Sequence, residues 1–120
     1  MSKLLLHIHS GPELANKASL GLLVASSAGK SEHDVTVFLA ADGVHLLTCK
    51  AKGKCVGEGT GDVADHLDAL RESNTKIYVS RLSANGRGYD ESLLDGYNAE
   101  FATPDMLISC SLEADAVLCY

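Results

Sequence analysis

KIYVSRLSANGRG, from Lys76 to Gly88, is the stretch on which the reading of the fold turns. Lys76 to Ser80 is short, apolar and β-branched, and small polar residues follow at once, so it reads as a buried strand running into an open loop. In a parallel α/β sheet, ligands sit outside the carboxyl ends of the strands, where the order of the sheet reverses. Ser80, Arg81, Ser83, Asn85 and Arg87 therefore form the first candidate site. The loop offers hydroxyls, an amide and two guanidiniums but no thiol and no carboxylate, a set suited to holding something anionic or polar rather than attacking it.

Working outward, the other segments alternate between strand and helix patterns. Lys3 to Ile8 is apolar apart from its ends and His7, as expected of a strand covered on both faces. Ser10-Gly11-Pro12-Glu13 reads as a capping box that opens a helix, apolar nearly all round from Ala18 to Ala25 and ending near Gly29. Asp34 to Ala40 is a second buried strand, followed by the turn Ala41-Asp42-Gly43. Val63, Leu67 and Leu70 mark one face of an amphipathic helix that leads into the central strand. Asp90 to Leu94 gives a helical turn or two, and Asn98 to Ala102 a fourth strand. Thr103-Pro104-Asp105 starts a helix carrying Met106 to Leu112, and Ala116 to Tyr120 closes the chain as a fifth strand. This alternation predicts one α/β domain over residues 1–120, a parallel sheet with helices on both faces; an all-α fold fails on the β-branched runs.

Asp42 is expected at the same sheet edge as the loop after Ser80, either as a site carboxylate or as the cap of Val44 to Leu47. His9, at the end of the first strand, is expected to line the same crevice. His7 and His9 share a face, but two ligands do not make a metal site, and no metal or cofactor is expected. The long segment Cys49 to Asp62 reads as a functional or mobile loop. It contains neither a Walker loop nor a strand-borne GxGxxG, so no nucleotide site is read there. Within it Cys55 sits among glycines with Lys52 and Lys54 near, an exposed setting that favours a thiolate. Cys110 and Cys119 lie in apolar segments and read as small buried hydrophobes. Arg81 and Arg87 also fit a plainer reading as surface charges beside Asp90 and Glu91.

The net charge of −6 argues against a nucleic-acid binder, since phosphate neutralisation needs clustered Lys and Arg, and Lys50, Lys52 and Lys54 are the only basic run. No apolar run approaches the roughly 20 residues needed to cross a bilayer, and the N-terminus has no signal-peptide pattern, so a cytoplasmic protein without a membrane role is expected. Hydrophobic residues make up 46% of a chain of only 120, an excess that small domains bury between subunits; a homo-oligomer is expected.

VTVFLAADGVHLL, an amphipathic helix, KIYVSRLSANGRG, and a Thr-capped helix before EADAVLCY, taken in that order, resemble the DsrE/DsrF-like family with its YchN-like and predicted-peroxiredoxin relatives. The likeness covers almost the whole chain through the order and spacing of loose motifs. It implies a three-layer α/β/α sandwich around a five-stranded, mainly parallel sheet with flavodoxin-like winding, assembly into trimers or hexamers, and for some members the passing of sulfane sulfur between proteins on a cysteine. Many relatives carry that cysteine at the end of the central strand, where this chain has Ser80, and a hydroxyl cannot hold a persulfide.

Two functions follow. One is a ligand- or partner-binding module of sulfur and redox metabolism, its crevice lined by His9, Asp42, Ser80, Arg81 and Ser83. The other is a sulfur relay between donor and acceptor proteins, with Cys55 as the substitute thiol and Cys110 and Cys119 as fallbacks. A serine hydrolase would find its residue types in Ser80 or Ser83, His9 and Asp42, but there is no GxSxG elbow.

Overall fold

The computed structural model describes residues 2–120. Strand β1 (Lys3–Ile8) leads through a single 3-10 turn into α1 (Ala15–Lys30), then β2 (Asp34–Leu39). A longer 3-10 segment (Ala41–Thr48) and a small hairpin, β3 (Val56–Gly57) with β4 (Gly61–Asp62), precede α2 (Val63–Glu72). The chain continues through β5 (Lys76–Ser80), α3 (Arg81–Gly86), β6 (Ala99–Ala102), α4 (Pro104–Glu113) and β7 (Ala116–Cys119). Five strands form one wholly parallel sheet in the order β6-β5-β2-β1-β7. The expected α/β sandwich is present, with helices on both faces.

The layering follows from the hand of the crossovers. From β1 to β2 to β5 the chain steps in one direction, so right-handed connections put α1 and α2 on the same face. The last connection, β6 to β7, runs back the other way, and its helix α4 therefore lands on the opposite face. Strand alternation divides the side chains accordingly. Leu6, Ile8, Val37, Leu39, Ile77 and Val79 point towards α1 and α2 and form the main core with Leu22, Leu67 and Leu70. The face towards α4 carries a thin second layer, Leu5, Phe38 and Ala102, against which Met106 and Leu107 pack half-buried.

Several local readings change. Ser10 caps nothing: its hydroxyl donates to the Tyr120 carbonyl oxygen at 2.9 Å and pins the last residue of the chain across the end of β1, and Gly11 is the cap of the following turn. The stretch after Ser80 is a short helix rather than an open loop, because the Ser80 hydroxyl accepts the Ser83 amide at 3.1 Å and closes its first turn. The segment from Cys49 to Asp62 is held in place by the hairpin. Ser19, fully buried in α1, donates to the Gly61 carbonyl at 2.8 Å, and the His66 ring reaches the Thr60 carbonyl at 2.7 Å.

Candidate functional site

The carboxyl ends of β5, β2 and β1 lie side by side and bring three groups of predicted residues to one edge of the sheet. At the β2–β5 boundary, Ala41 takes a left-handed backbone (φ 49°), a conformation that disfavours a residue with a Cβ by about 1 kcal/mol. Its amide donates to Ser83 Oγ at 2.8 Å, so one hydroxyl of α3 holds the strained turn after β2. Arg87 fastens the same two segments. Its Nη2 and Nε reach Asp42 Oδ1 at 2.9 and 3.2 Å, and its Nη1 reaches the Ser83 carbonyl at 3.1 Å. The Arg87 guanidinium holds the Asp42 carboxyl below the usual carboxylate range. Arg87 thus pairs with Asp42 and not with Asp90, whose carboxylate accepts from Ser92. Arg81 lies with its guanidinium carbon 4.9 Å from the centre of the Phe101 ring.

Ser80, Ser83 and Asp42 are therefore all engaged in structural bonds, and the sheet order explains why the cavity lies elsewhere. The order reverses between β1 and β7, not beside β5, because β7 returns to the far side of β1. A crevice is expected at that reversal. A cavity of about 410 Å³ lies there, lined by His9, Ser10, Leu14, Lys17, Cys119 and Tyr120. Of the predicted crevice residues, His9 alone lines it.

The strand register adds His7 to this corner. His7 is the Cα partner of Cys119 on β7 and of Phe38 on β2, so the three side chains share the α4 face. The His7 and His9 rings stand edge to face at 4.9 Å. His7 Nε2 is buried without a hydrogen-bond partner. Burial, reinforced by the charge of His9, pushes the His7 pKa below its ordinary value of 6.5. Folding therefore favours neutral His7. That contribution to stability is complete above pH 6.5 and is lost as the pH falls through 6.5 towards the folded value. In chemical denaturation between pH 7 and 5, wild type is expected to lose more stability than His7→Gln; equal losses would contradict this.

The thiols are placed the opposite way from the sequence expectation. Cys55 is only 2% exposed, and burial, with Cys49 and the acids Asp62 and Glu13 adding to it, pushes its thiol up to about 11. The glycines and lysines around it form the rim, while its own side chain turns inward because the Cys55 carbonyl accepts the Val63 amide at 2.9 Å. Cys119 is exposed instead of buried, because β7 is an edge strand, and Cys110 is half-buried. Cys119 beside His9 is the feature that sequence reasoning passed over. Its position in the last strand was visible, but the placing of that strand next to β1 was not.

Among the described residues, no group of three His, Cys, Asp or Glu side chains is arranged to hold a metal ion, and no helix is long and apolar enough to cross a membrane.

A wholly parallel five-stranded sheet with its crevice at the β1–β7 reversal defines an α/β sandwich protein, and the profile of the DsrE/DsrF-like family matches residues 2–120. The chain belongs to that family. Its fold is similar to that in the crystal structure of the ychN protein from E. coli, with a TM-score of 0.79, 26% sequence identity and 100% of each chain covered. No curated protein matches the chain.

Proposed function

We propose that this chain is a cytoplasmic binding module of sulfur and redox metabolism that takes a small anionic ligand in the crevice at the β1–β7 reversal. The observation that carries this reading is the 410 Å³ cavity, which combines the Lys17 ammonium with the His9 ring. The position of the usual strand-end cysteine supports binding over carriage: Ser80 occupies it, and its hydroxyl is spent on the first turn of α3. Titration of the ¹⁵N-labelled protein with thiosulfate, and with phosphate for comparison, is expected to give saturable amide shifts at His9, Lys17 and Tyr120. Lys17→Ala should weaken binding about tenfold, roughly 1.4 kcal/mol. Shifts that are absent, or that are unchanged by this substitution, would remove the crevice from the account.

A persulfide relay is the second reading, and one observation favours a particular thiol for it: Cys119 is the exposed cysteine and shares the cavity with His9. Cys55, buried and hard to ionise, is poorly suited to the role.

Assembly into a homo-oligomer, trimer or hexamer, belongs to the same proposal. Its support is the thinly covered face: α4 buries none of its residues, Ile108 and Leu112 are 57% and 82% exposed, and Val117 on β7 is 39% exposed. Light scattering after size exclusion should give a multiple of the 12.6 kDa chain mass for wild type and a smaller species for Leu112→Asp. A monomeric wild type would contradict the assembly.

A further inference from the structure

Outside the crevice, the molecule holds a second pair of chemically competent groups. Cys49 and Cys55 are both unpaired thiols, 0% and 2% exposed, and belong to the same core cluster. They stand at the two ends of one short loop, Lys50 to Lys54, all of it exposed and all of it outside regular secondary structure. Both side chains are buried at opposite ends of this loop, close enough that each alters the ionisation of the other, and the Cys49 thiol donates to the His45 carbonyl at 3.9 Å. Neither takes part in the crevice. Buried cysteines in a core are ordinarily separate small hydrophobes; two that face each other across a loop of five residues are placed for a bond.

We propose that Cys49 and Cys55 form a dithiol–disulfide couple, oxidised by a small aliphatic disulfide such as oxidised glutathione, that closes the basic Lys50–Lys54 loop covalently. The surroundings distinguish the two sulfurs. Burial raises both thiols, but at Cys49 it is opposed by Thr48, Lys54 and the Cys55 thiol, with only Asp62 adding to it, whereas at Cys55 it is reinforced by Cys49, Asp62 and Glu13. Cys49 is therefore the attacking sulfur. Its thiolate attacks one sulfur of the small disulfide, the S–S bond breaks, and one small thiol leaves carrying the proton that Cys49 gave up. The Cys55 thiol then loses its proton to the second leaving thiolate as it attacks Cys49 Sγ and expels the second small thiol. The balance is two protein thiols and one small disulfide giving one protein disulfide and two small thiols, the protein losing two hydrogens.

The loop is also the door. Burial keeps both thiols protonated at neutral pH, so reaction requires the loop to lift, and its attachments all lie on the exposed surface: the Gly53 amide to Asp62 Oδ2 at 2.7 Å, the Lys52–Asp65 ion pair at 3.4 Å, and the Lys50 and Lys54 ammonium groups on the Asp95 and Thr48 carbonyls at 3.1 and 3.4 Å. Once formed, the bond would join the 3-10 segment ending at Thr48 to the β3–β4 hairpin and fix the spacing of Lys50, Lys52 and Lys54.

Trypsin separates the relevant thiols. Cys49 falls in the peptide 31–50, Cys55 in 55–71, and Cys110 with Cys119 in 88–120. Native protein incubated with oxidised glutathione, quenched by alkylation in denaturant and digested should yield peptides 31–50 and 55–71 joined as one species, released by reductant. Its appearance should lag behind modification of the exposed Cys119. Peptides 31–50 and 55–71 recovered only as alkylated thiols, or each carrying glutathione without a link, would overturn the proposal, as would linkage of either to 88–120. Because Cys49→Ala or Cys55→Ala could unsettle the core, the wild-type map is the deciding measurement, and Cys119→Ser is the control. It should leave the 31–50/55–71 link intact; loss of the link in that variant would also overturn the proposal.

Discussion

Phe38→Ala is expected to destabilise the chain by about 3–5 kcal/mol, the range for removing a buried aromatic ring from a packed site. Phe38 is 2% exposed and is the largest side chain in the thin layer between the sheet and α4. Its ring meets His7 at 5.8 Å and Tyr78 at 6.2 Å between centroids. The α4 side chains that pack against it, Met106 and Leu107, are only half-buried and α4 buries none of its own residues, so little of the cavity should collapse. The same substitution opens His7 to water, and the His7 pKa should rise towards 6.5. Urea unfolding gives the first quantity and an NMR titration of the imidazole the second. A loss below about 1 kcal/mol would mean that the α4 face contributes little to the fold.

Gly43→Ala is expected to cost about 3 kcal/mol, at the upper end for overpacking a tight site. A methyl group on Gly43 would run into the carbonyl oxygen of Ile8 and approach His9 Cα at 3.3 Å. Both obstacles are backbone, so no side-chain rotation relieves the contact. That carbonyl already accepts the Ala40 amide at 3.1 Å, which ties the end of β1 to the turn after β2. Separating them moves His9, so the variant should lose crevice binding along with stability. A variant as stable as wild type would show that the two strand ends are free to part.

Strands β1, β2 and β5 were legible because each is a run of β-branched and large apolar residues, and the register keeps alternate positions in one core. Thr103-Pro104-Asp105 likewise announced α4, although the threonine contributes its extended backbone rather than a side-chain bond. The site was legible only in part. The chain order of strands does not reveal their order in space, so the reversal was assigned to the loop after Ser80 when it lies between β1 and β7. The cysteines were misjudged for a related reason. Local composition describes a residue's neighbours in sequence, but burial is decided by what packs over it. Cys55 among glycines and lysines is covered, while Cys119 in an apolar strand stands at the edge of the sheet. Helix α3 escaped notice because six residues are too few for an apolar period, leaving Ser80 as its only signal.

The central claim is that this member of the family binds at the β1–β7 crevice without carrying sulfur. Intact-mass analysis after incubation of native protein with a cysteine desulfurase and cysteine tests it most directly. The account predicts an unchanged mass, with Cys119 still open to alkylation. Addition of one sulfur, removed by reductant and abolished in Cys119→Ser or Cys55→Ser, would contradict it and make the chain a persulfide carrier with a relocated thiol.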